Sequence, residues 1–125
     1  MSSLFLFFTG LICAGIGVYC LVDPAGAAGR IAMHLDNINS LNQIRGSGGV
    51  TLAMGAFMVM GARDPRLARP ALLIFALVVG GLELGRIASF IADGQPGVVI
   101  WTYMAFEIFG LLQAVYYLRS MGRDA

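Results

Sequence analysis

Three charged residues lie inside apolar stretches of this sequence, and their types and spacing suit acid–base or ion-binding chemistry. Glu83 and Arg86 stand three residues apart in the segment GGLELGRIASF, and Glu107 interrupts the apolar segment YMAFEIFG. Residues three apart share one face of a helix, so Glu83 and Arg86 can form an ion pair. A charge at the centre of a bilayer costs about 2.5–3.5 kcal/mol, so intramembrane ionisable residues indicate pairing or function.

These residues predict a buried polar cluster, to which two further positions can contribute. Arg86 can reach Glu107 across the interface between the last two helices. Arg45 can supply a second cation, and Asp93 follows Arg86 by two turns on the same face. Two interpretations are open. The cluster fixes the register of the helices and has no other role, or it is a site that binds a ligand or exchanges protons.

The elements that must position these charges are predicted from composition. Of 125 residues, 58% are hydrophobic and 12% are charged, whereas a soluble domain carries about 25% charged residues. The chain is therefore predicted to be a single all-α membrane domain over residues 1–125, a four-transmembrane-helix bundle. A spanning helix needs roughly 20 apolar residues, and four runs qualify: about 4–22, 44–62, 71–92 and 98–118.

The connections between these runs differ in kind. The first is the longest and covers residues 23–43. Within it Ile31, Leu35 and Ile38 recur at helical spacing among polar residues, which predicts a short amphipathic surface helix between spans 1 and 2. Residues 63–70 are basic and contain two prolines, so a tight loop is predicted there.

Orientation follows from the arginines, because short cytoplasmic loops are enriched in basic residues. With four spans, one side of the membrane holds Arg63, Arg66, Arg69, Arg119 and Arg123, and the other holds Arg30 and Arg45. This bias predicts a multi-pass membrane protein with both termini in the cytoplasm. If the host is a bacterium, the membrane is the inner (cytoplasmic) membrane.

Small residues form stripes along the predicted spans. Helices in lipid associate by close backbone approach at such residues. The third span carries Gly81, Gly85 and Ser89 at four-residue spacing. The other predicted packing positions are Gly46, Gly49 and Ala53 on the second span and Gly110 on the fourth. The stripes predict contacts between helices, either within one chain or with a partner.

Several kinds of site are not predicted. His34 has no second ligand at metal-binding spacing, so no metal is expected. Gly48 and Gly49 are not followed by the Lys-Ser or Lys-Thr of a phosphate loop. A net charge of +1 gives no overall field that would attract nucleic acid. Because no catalytic constellation is visible, we expect a protein that is not an enzyme and needs no cofactor.

Four motifs are shared with a known family: NQIRGSGG at 42–49, GGLELGR at 80–86, DGQP at 93–96 and Glu107. They resemble a family of small bacterial membrane proteins known as domain of unknown function 4345. The resemblance implies a four-span protein and a distant relation to the DoxX-like membrane proteins. The family has an Asn-Glu-Ile-Arg pattern where this chain has Gln43. The family implies no established activity.

Two functions are compatible with these features. The first is a non-enzymatic membrane protein that acts through helix–helix association, as a homo-oligomer or as an accessory subunit of a larger complex, for example a respiratory or photosynthetic one. Its partners are the lipid bilayer and itself or that complex. The second is a carrier or pore for a small solute, a proton or a lipid-like ligand, which uses the cluster of Glu83, Arg86 and Glu107.

Overall fold

The structure, a computed structural model, describes residues 1–123, and these residues are helical with no strand among them. The all-α prediction is confirmed. The chain divides into two compact units, the first ending at Ala68 and the second beginning at Arg69. The helices are α1 (Ser2–Val22), α2 (Pro24–Gly29), α3 (Ile38–Arg63), α4 (Pro65–Asp93) and α5 (Val98–Arg123).

Three of these helices, α1, α4 and α5, are long and apolar enough to cross a membrane. Helix α3 is long enough but less apolar, because its first half carries Asn39, Gln43 and Arg45 and several glycines. The structure therefore supports three candidate spans rather than clearly four.

The first unit is held together by glycines that let α1 and α3 approach closely. A Cβ placed on Gly55 would lie 2.5 Å from the backbone nitrogen of Ala14, and one on Gly10 would lie 2.8 Å from the carbonyl oxygen of Gly55. Two turns further along α1, a Cβ on Gly17 would lie 2.6 Å from the carbonyl oxygen of Gly48. No side chain fits at these positions, so the two backbones are in direct contact.

These contacts also define the register of the two helices. Gly10 faces Gly55 and Gly17 faces Gly48, so seven residues forward on α1 correspond to seven residues backward on α3. The helices are antiparallel, and this register places residues 43–63 of α3 beside the length of α1.

The small-residue stripe predicted on the second span is not the one that α1 contacts. Gly46 and Ala53 are exposed, and within residues 1–123 a Cβ on Gly46 or Gly49 would meet no atom within 4 Å. Within the first unit this stripe does not pack against α1, because the face of α3 turned toward α1 is defined by Gly48 and Gly55. A role of the open stripe toward another chain stays a prediction.

After α1, the chain turns immediately into the short helix α2. Asp23 caps it, since its side-chain oxygen accepts a hydrogen bond from the backbone N–H of Gly26 at 3.0 Å, and Pro24 occupies the first helical position, where proline is favoured. Arg30 then folds back onto the end of α1, with its Nε 3.3 Å from the hydroxyl of Tyr19.

The amphipathic helix predicted around Ile31, Leu35 and Ile38 is wrong. Residues 33–36 are neither helix nor strand. Ala32 adopts a φ of 58°, a left-handed conformation that interrupts a right-handed helix. Asn37 caps the next helix with its side chain, so Ile38 is the first residue of α3 instead of the end of a surface helix.

The loop predicted over residues 63–70 is also wrong, because only Asp64 separates α3 from α4. Pro65 begins α4, and a proline is tolerated in the first turn because its missing N–H would have no partner there. The Asp64 carboxylate accepts a hydrogen bond from the backbone N–H of Arg66 at 2.9 Å. Pro70 lies inside the helix, so α4 is longer than the apolar run suggested.

In the second unit, α4 and α5 run antiparallel and are joined by a turn over residues 94–97, where Gly94 has a φ of 98°. Side chains connect the two helices. The rings of Phe90 and Trp101 meet edge to face with centroids 5.7 Å apart, and the ring of Phe75 lies against Gly110.

The small-residue stripe predicted on the third span does not contact α5. Gly81 and Gly85 are exposed, and over the described part of the chain a Cβ on either would meet no atom within 4 Å. Ser89 is exposed as well, and its hydroxyl donates to Asp93 at 2.8 Å. Within the second unit this stripe does not join the two helices, because α4 turns its charged and aromatic side chains, not its glycines, toward α5. A role of the stripe in other contacts stays a prediction.

Candidate functional site

The predicted charges on α4 and α5 meet at one level of the second unit. Glu83 lies ten residues before the end of α4 and Glu107 lies nine residues after the start of α5, which places both about 14–15 Å from the turn at 1.5 Å per residue. Equal distances from a shared turn bring the two carboxylates side by side in an antiparallel pair. Arg86 lies one turn closer to the turn than Glu83.

Arg86 and Glu107 form a two-point ion pair between the helices. Nε of Arg86 donates to Oε2 of Glu107 at 3.0 Å, and Nη2 donates to Oε1 at 3.0 Å. This arrangement matches the planar fork of the guanidinium to both carboxylate oxygens, the strongest geometry for such a pair. The side chains are half-buried, 21% exposed for Arg86 and 26% for Glu107. The predicted contact across the helices is present.

Glu83 is the most deeply buried member, with 5% of its surface exposed. Its Oε1 lies 3.5 Å from Nε of Arg86, but the single hydrogen on that nitrogen is directed to Glu107. Both oxygens of Glu83 are sealed from solvent, and no donor hydrogen-bonds to them in residues 1–123. The carboxylate of Glu107 is close enough to form a hydrogen bond with that of Glu83 when one of the two is protonated. The cluster therefore has two carboxylates around one guanidinium.

Two residues predicted for the cluster, Arg45 and Asp93, form other contacts. The Nε of Arg45 donates to the backbone carbonyl of Leu21 at 3.0 Å, a position where a cation stabilises the negative end of the α1 dipole. Asp93 is exposed and accepts the hydrogen bond from Ser89. Across residues 1–123, the ion pairs of the cluster join Arg86 to Glu83 and Glu107 only. Asp93 is thus a polar neighbour toward the turn.

Other features of the described chain bear on what it can hold. Residues 1–123 contain no group of three or more His, Cys, Asp or Glu side chains placed to hold a metal ion. One face of α5 forms a shallow apolar groove that was not predicted from the sequence. Its residues recur at three- and four-residue spacing, the pattern of one helix face. The groove is lined by Val98, Trp101, Thr102, Ala105, Phe106 and Phe109.

The fold and the cluster together have the features of an integral membrane protein. Its apolar helices expose large apolar side chains, and the ion pairs found in residues 1–123 join α4 to α5 or lie within α4. The chain belongs to the family described as Domain of unknown function (DUF4345), which matches residues 1–118. The resemblance in the sequence is thereby confirmed. No curated protein and no solved structure matches the chain. The relation to DoxX-like proteins stays a prediction.

Proposed function

We propose that this protein is a small carrier in the membrane that binds and exchanges a proton or a small polar solute at Glu83, Arg86 and Glu107. One observation carries the proposal. Glu83 is buried without a hydrogen-bond donor although a guanidinium lies beside it. A carboxylate that accepts no hydrogen bond loses its hydration without replacement, which costs several kcal/mol.

This arrangement differs from what a purely structural ion pair requires. A cluster that only fixes helix register would direct the arginine to the carboxylate that is most expensive to bury. Here both hydrogen bonds from Arg86 go to Glu107, the more exposed acid. The inner acid keeps its unsatisfied oxygens. Unsatisfied ionisable groups inside membrane helices are associated with ligand and proton sites.

The proposal includes a four-span topology in which α3 is the remaining span. Its support is the register of the first unit, which aligns residues 43–63 with α1. If α1 crosses the bilayer, this part of α3 lies at the same depth. The arginine bias of the sequence supports both termini in the cytoplasm, and the resemblance to bacterial proteins supports a bacterial inner membrane.

The experiment is a flux measurement in vesicles that contain the purified protein. Protons, potassium ions and methylammonium are tested separately, each driven by its own gradient. We expect saturable flux of at least one of them in the natural protein and its loss in Glu83→Gln. Asp36→Asn is the matched control, because it converts an exposed acid to an amide outside the helices and outside the ion pairs of the cluster. A folded protein without flux, or equal flux in both variants, contradicts the proposal.

A second candidate is association with a partner, favoured by the open glycines of α3 and α4. In the first unit Gly48 and Gly55 serve the packing of α3 on α1, whereas in the second unit Gly81 and Gly85 do not contact α5. The protein would then be a non-enzymatic homo-oligomer or an accessory subunit of a respiratory or photosynthetic complex.

The association candidate is tested by extraction in mild detergent, with measurement of the mass of the particle and of copurified proteins. Gly85→Leu is expected to reduce that mass without unfolding the chain, while Gly15→Leu, at another glycine with open space, leaves it unchanged. A monomer without partners contradicts this candidate.

A further inference from the structure

We propose that the exchanged group is a proton held by Glu83, and that in this conformation it enters and leaves only from the side of the membrane that holds the α4–α5 turn. This inference rests on the proposed function and narrows it in two respects, the ligand and the direction of access.

The burial of Glu83 selects the ligand. Both carboxylate oxygens are sealed from solvent, so no solute can contact them without a change in structure. The positive charge of Arg86 lies 3.5 Å from Oε1 and repels a metal or ammonium ion at that place. A proton avoids the first obstacle, since it occupies almost no additional volume. At the second, the negative charge of Glu107 acts on Glu83 in the opposite sense to that of Arg86.

The chemistry of the step is simple. Hydronium gives its proton to the Glu83 carboxylate, which forms one O–H bond and releases water, and the reverse step returns the proton to the same aqueous phase. The charges that act on Glu83 are those of Arg86 on α4 and Glu107 on α5. Two ionised carboxylates cannot hydrogen-bond to each other, but a protonated Glu83 has an O–H to donate to Glu107. One proton therefore satisfies the orphaned group and makes the cluster formally neutral.

The direction of access follows from what lies on each side of Glu83 along α4. Toward the turn, polar side chains occur at every helical turn and become increasingly exposed. Arg86 is 21% exposed, and Ser89 and Asp93 are exposed. Glu107 lies beside these residues on α5 and is half-buried. Carboxylate and hydroxyl groups linked by water can pass a proton toward Glu83, whereas the guanidinium of Arg86 keeps its own protons.

On the other side of Glu83, away from the turn, α4 has no comparable series of polar side chains. From Leu72 to Leu82, α4 has no polar side chain, and the residues on the Glu83 side, Val79, Phe75 and Leu72, are buried. The next polar group on α5 is Gln113, and the ring of Phe75 lies against Gly110 between it and Glu107. The second unit is thus open to Glu83 at one end and closed by apolar side chains at the other.

The test uses dicyclohexylcarbodiimide, a lipid-permeable reagent that adds to protonated carboxyl groups in apolar surroundings. The unmodified sequence is placed in vesicles with buffers of different pH inside and outside, and mass spectrometry measures the labelled fraction of each acid. The orientation of the protein in the vesicle membrane is identified from the accessibility of a tag at the C-terminus, because α5 separates that terminus from the α4–α5 turn. We expect Glu83 to be labelled, with the labelled fraction rising up to about tenfold per unit of acidification on the turn side and unchanged by pH on the other side.

Each outcome decides a separate point. No labelling of Glu83 at any pH overturns the proton assignment, and labelling that follows the pH of the other side overturns the direction of access. Phe75→Ala supplies a matched check, since removal of the ring should make labelling respond to both sides, and Leu73→Ala, an exposed position on the same helix, should not. If Glu83 is labelled as expected but Glu83→Gln leaves flux unchanged, the proposed function fails while the proton site stands.

Discussion

Arg86 lies between two carboxylates and hydrogen-bonds to only one of them, Glu107. Its Nε is 3.0 Å from Oε2 of Glu107 and 3.5 Å from Oε1 of Glu83. The three-residue spacing in the sequence favours the pair within α4, whereas the structure gives the better geometry to the pair between helices. One guanidinium thereby joins α4 to α5 and leaves an acid beside it with unsatisfied oxygens.

Loss of the arginine is expected to destabilise the second unit strongly. Arg86→Gln leaves two neighbouring acids without a cation, and breaking a buried ion pair from one side costs about 3–5 kcal/mol. The free energy of unfolding is measured in detergent by titration with a denaturant. Arg66→Gln is the control, since Arg66 is exposed. Equal stability of the two variants would show that the cluster contributes nothing to the fold.

Removal of all three charges is expected to restore much of that loss. In the variant Glu83→Gln, Arg86→Gln, Glu107→Gln, no charge is left without its partner, and neutral replacements of buried ion pairs are often tolerated. The same unfolding titration compares it with Arg86→Gln alone. A triple variant less stable than the single one contradicts this account of the cluster.

The two acids are expected to differ in their coupling to Arg86. A double-mutant cycle with Arg86→Gln and Glu107→Gln should give a coupling energy of about 1.5–3 kcal/mol, the range for hydrogen bonds to charged groups. The cycle with Glu83→Gln should give a smaller value, because that pair has no hydrogen bond. Equal coupling in the two cycles would contradict the observed geometry.

Two adjacent glycines of α3 are expected to respond oppositely to alanine. A Cβ on Gly48 would lie 2.6 Å from the Cβ of Cys20 and 2.9 Å from the carbonyl oxygen of Gly17, so Gly48→Ala should cost about 1–3 kcal/mol through overpacking. Gly49 has open space, so Gly49→Ala should stabilise the helix by up to about 1 kcal/mol. Thermal unfolding of the two variants measures the difference. A loss at Gly49 as large as at Gly48 would indicate that another chain covers this face.

Four spans predict a definite pattern of accessibility at the connections. Single cysteines are introduced as Met33→Cys, Arg66→Cys and Gln95→Cys, after Cys13→Ala and Cys20→Ala, and are labelled with a membrane-impermeant reagent in intact cells. If α3 spans the bilayer, positions 33 and 95 share one side and position 66 lies on the other. If it does not, positions 33 and 66 share a side.

Local chemistry explains which parts of the fold were predictable. Apolar runs of spanning length identified α1, α4 and α5, because every backbone group in lipid must be hydrogen-bonded within the segment. The same reasoning failed between residues 31 and 38, where helical spacing was present but Asn37 caps a later helix. It failed again at Pro65, because a proline that reads as a loop can begin a helix.

The residues of the candidate site were predictable from the sequence, but the hydrogen bonds between them were not. By itself, the sequence determined that Glu83, Arg86 and Glu107 had to be gathered away from lipid, because the cost of unpaired charge depends on residue type and depth alone. It also supplied the glycines that permit close packing. Only the tertiary structure decided that Arg86 bonds to Glu107 and leaves Glu83 unsatisfied, and that Gly48 and Gly55 rather than Gly46 and Gly49 meet α1. Those choices depend on the register and separation of whole helices, which no local spacing encodes.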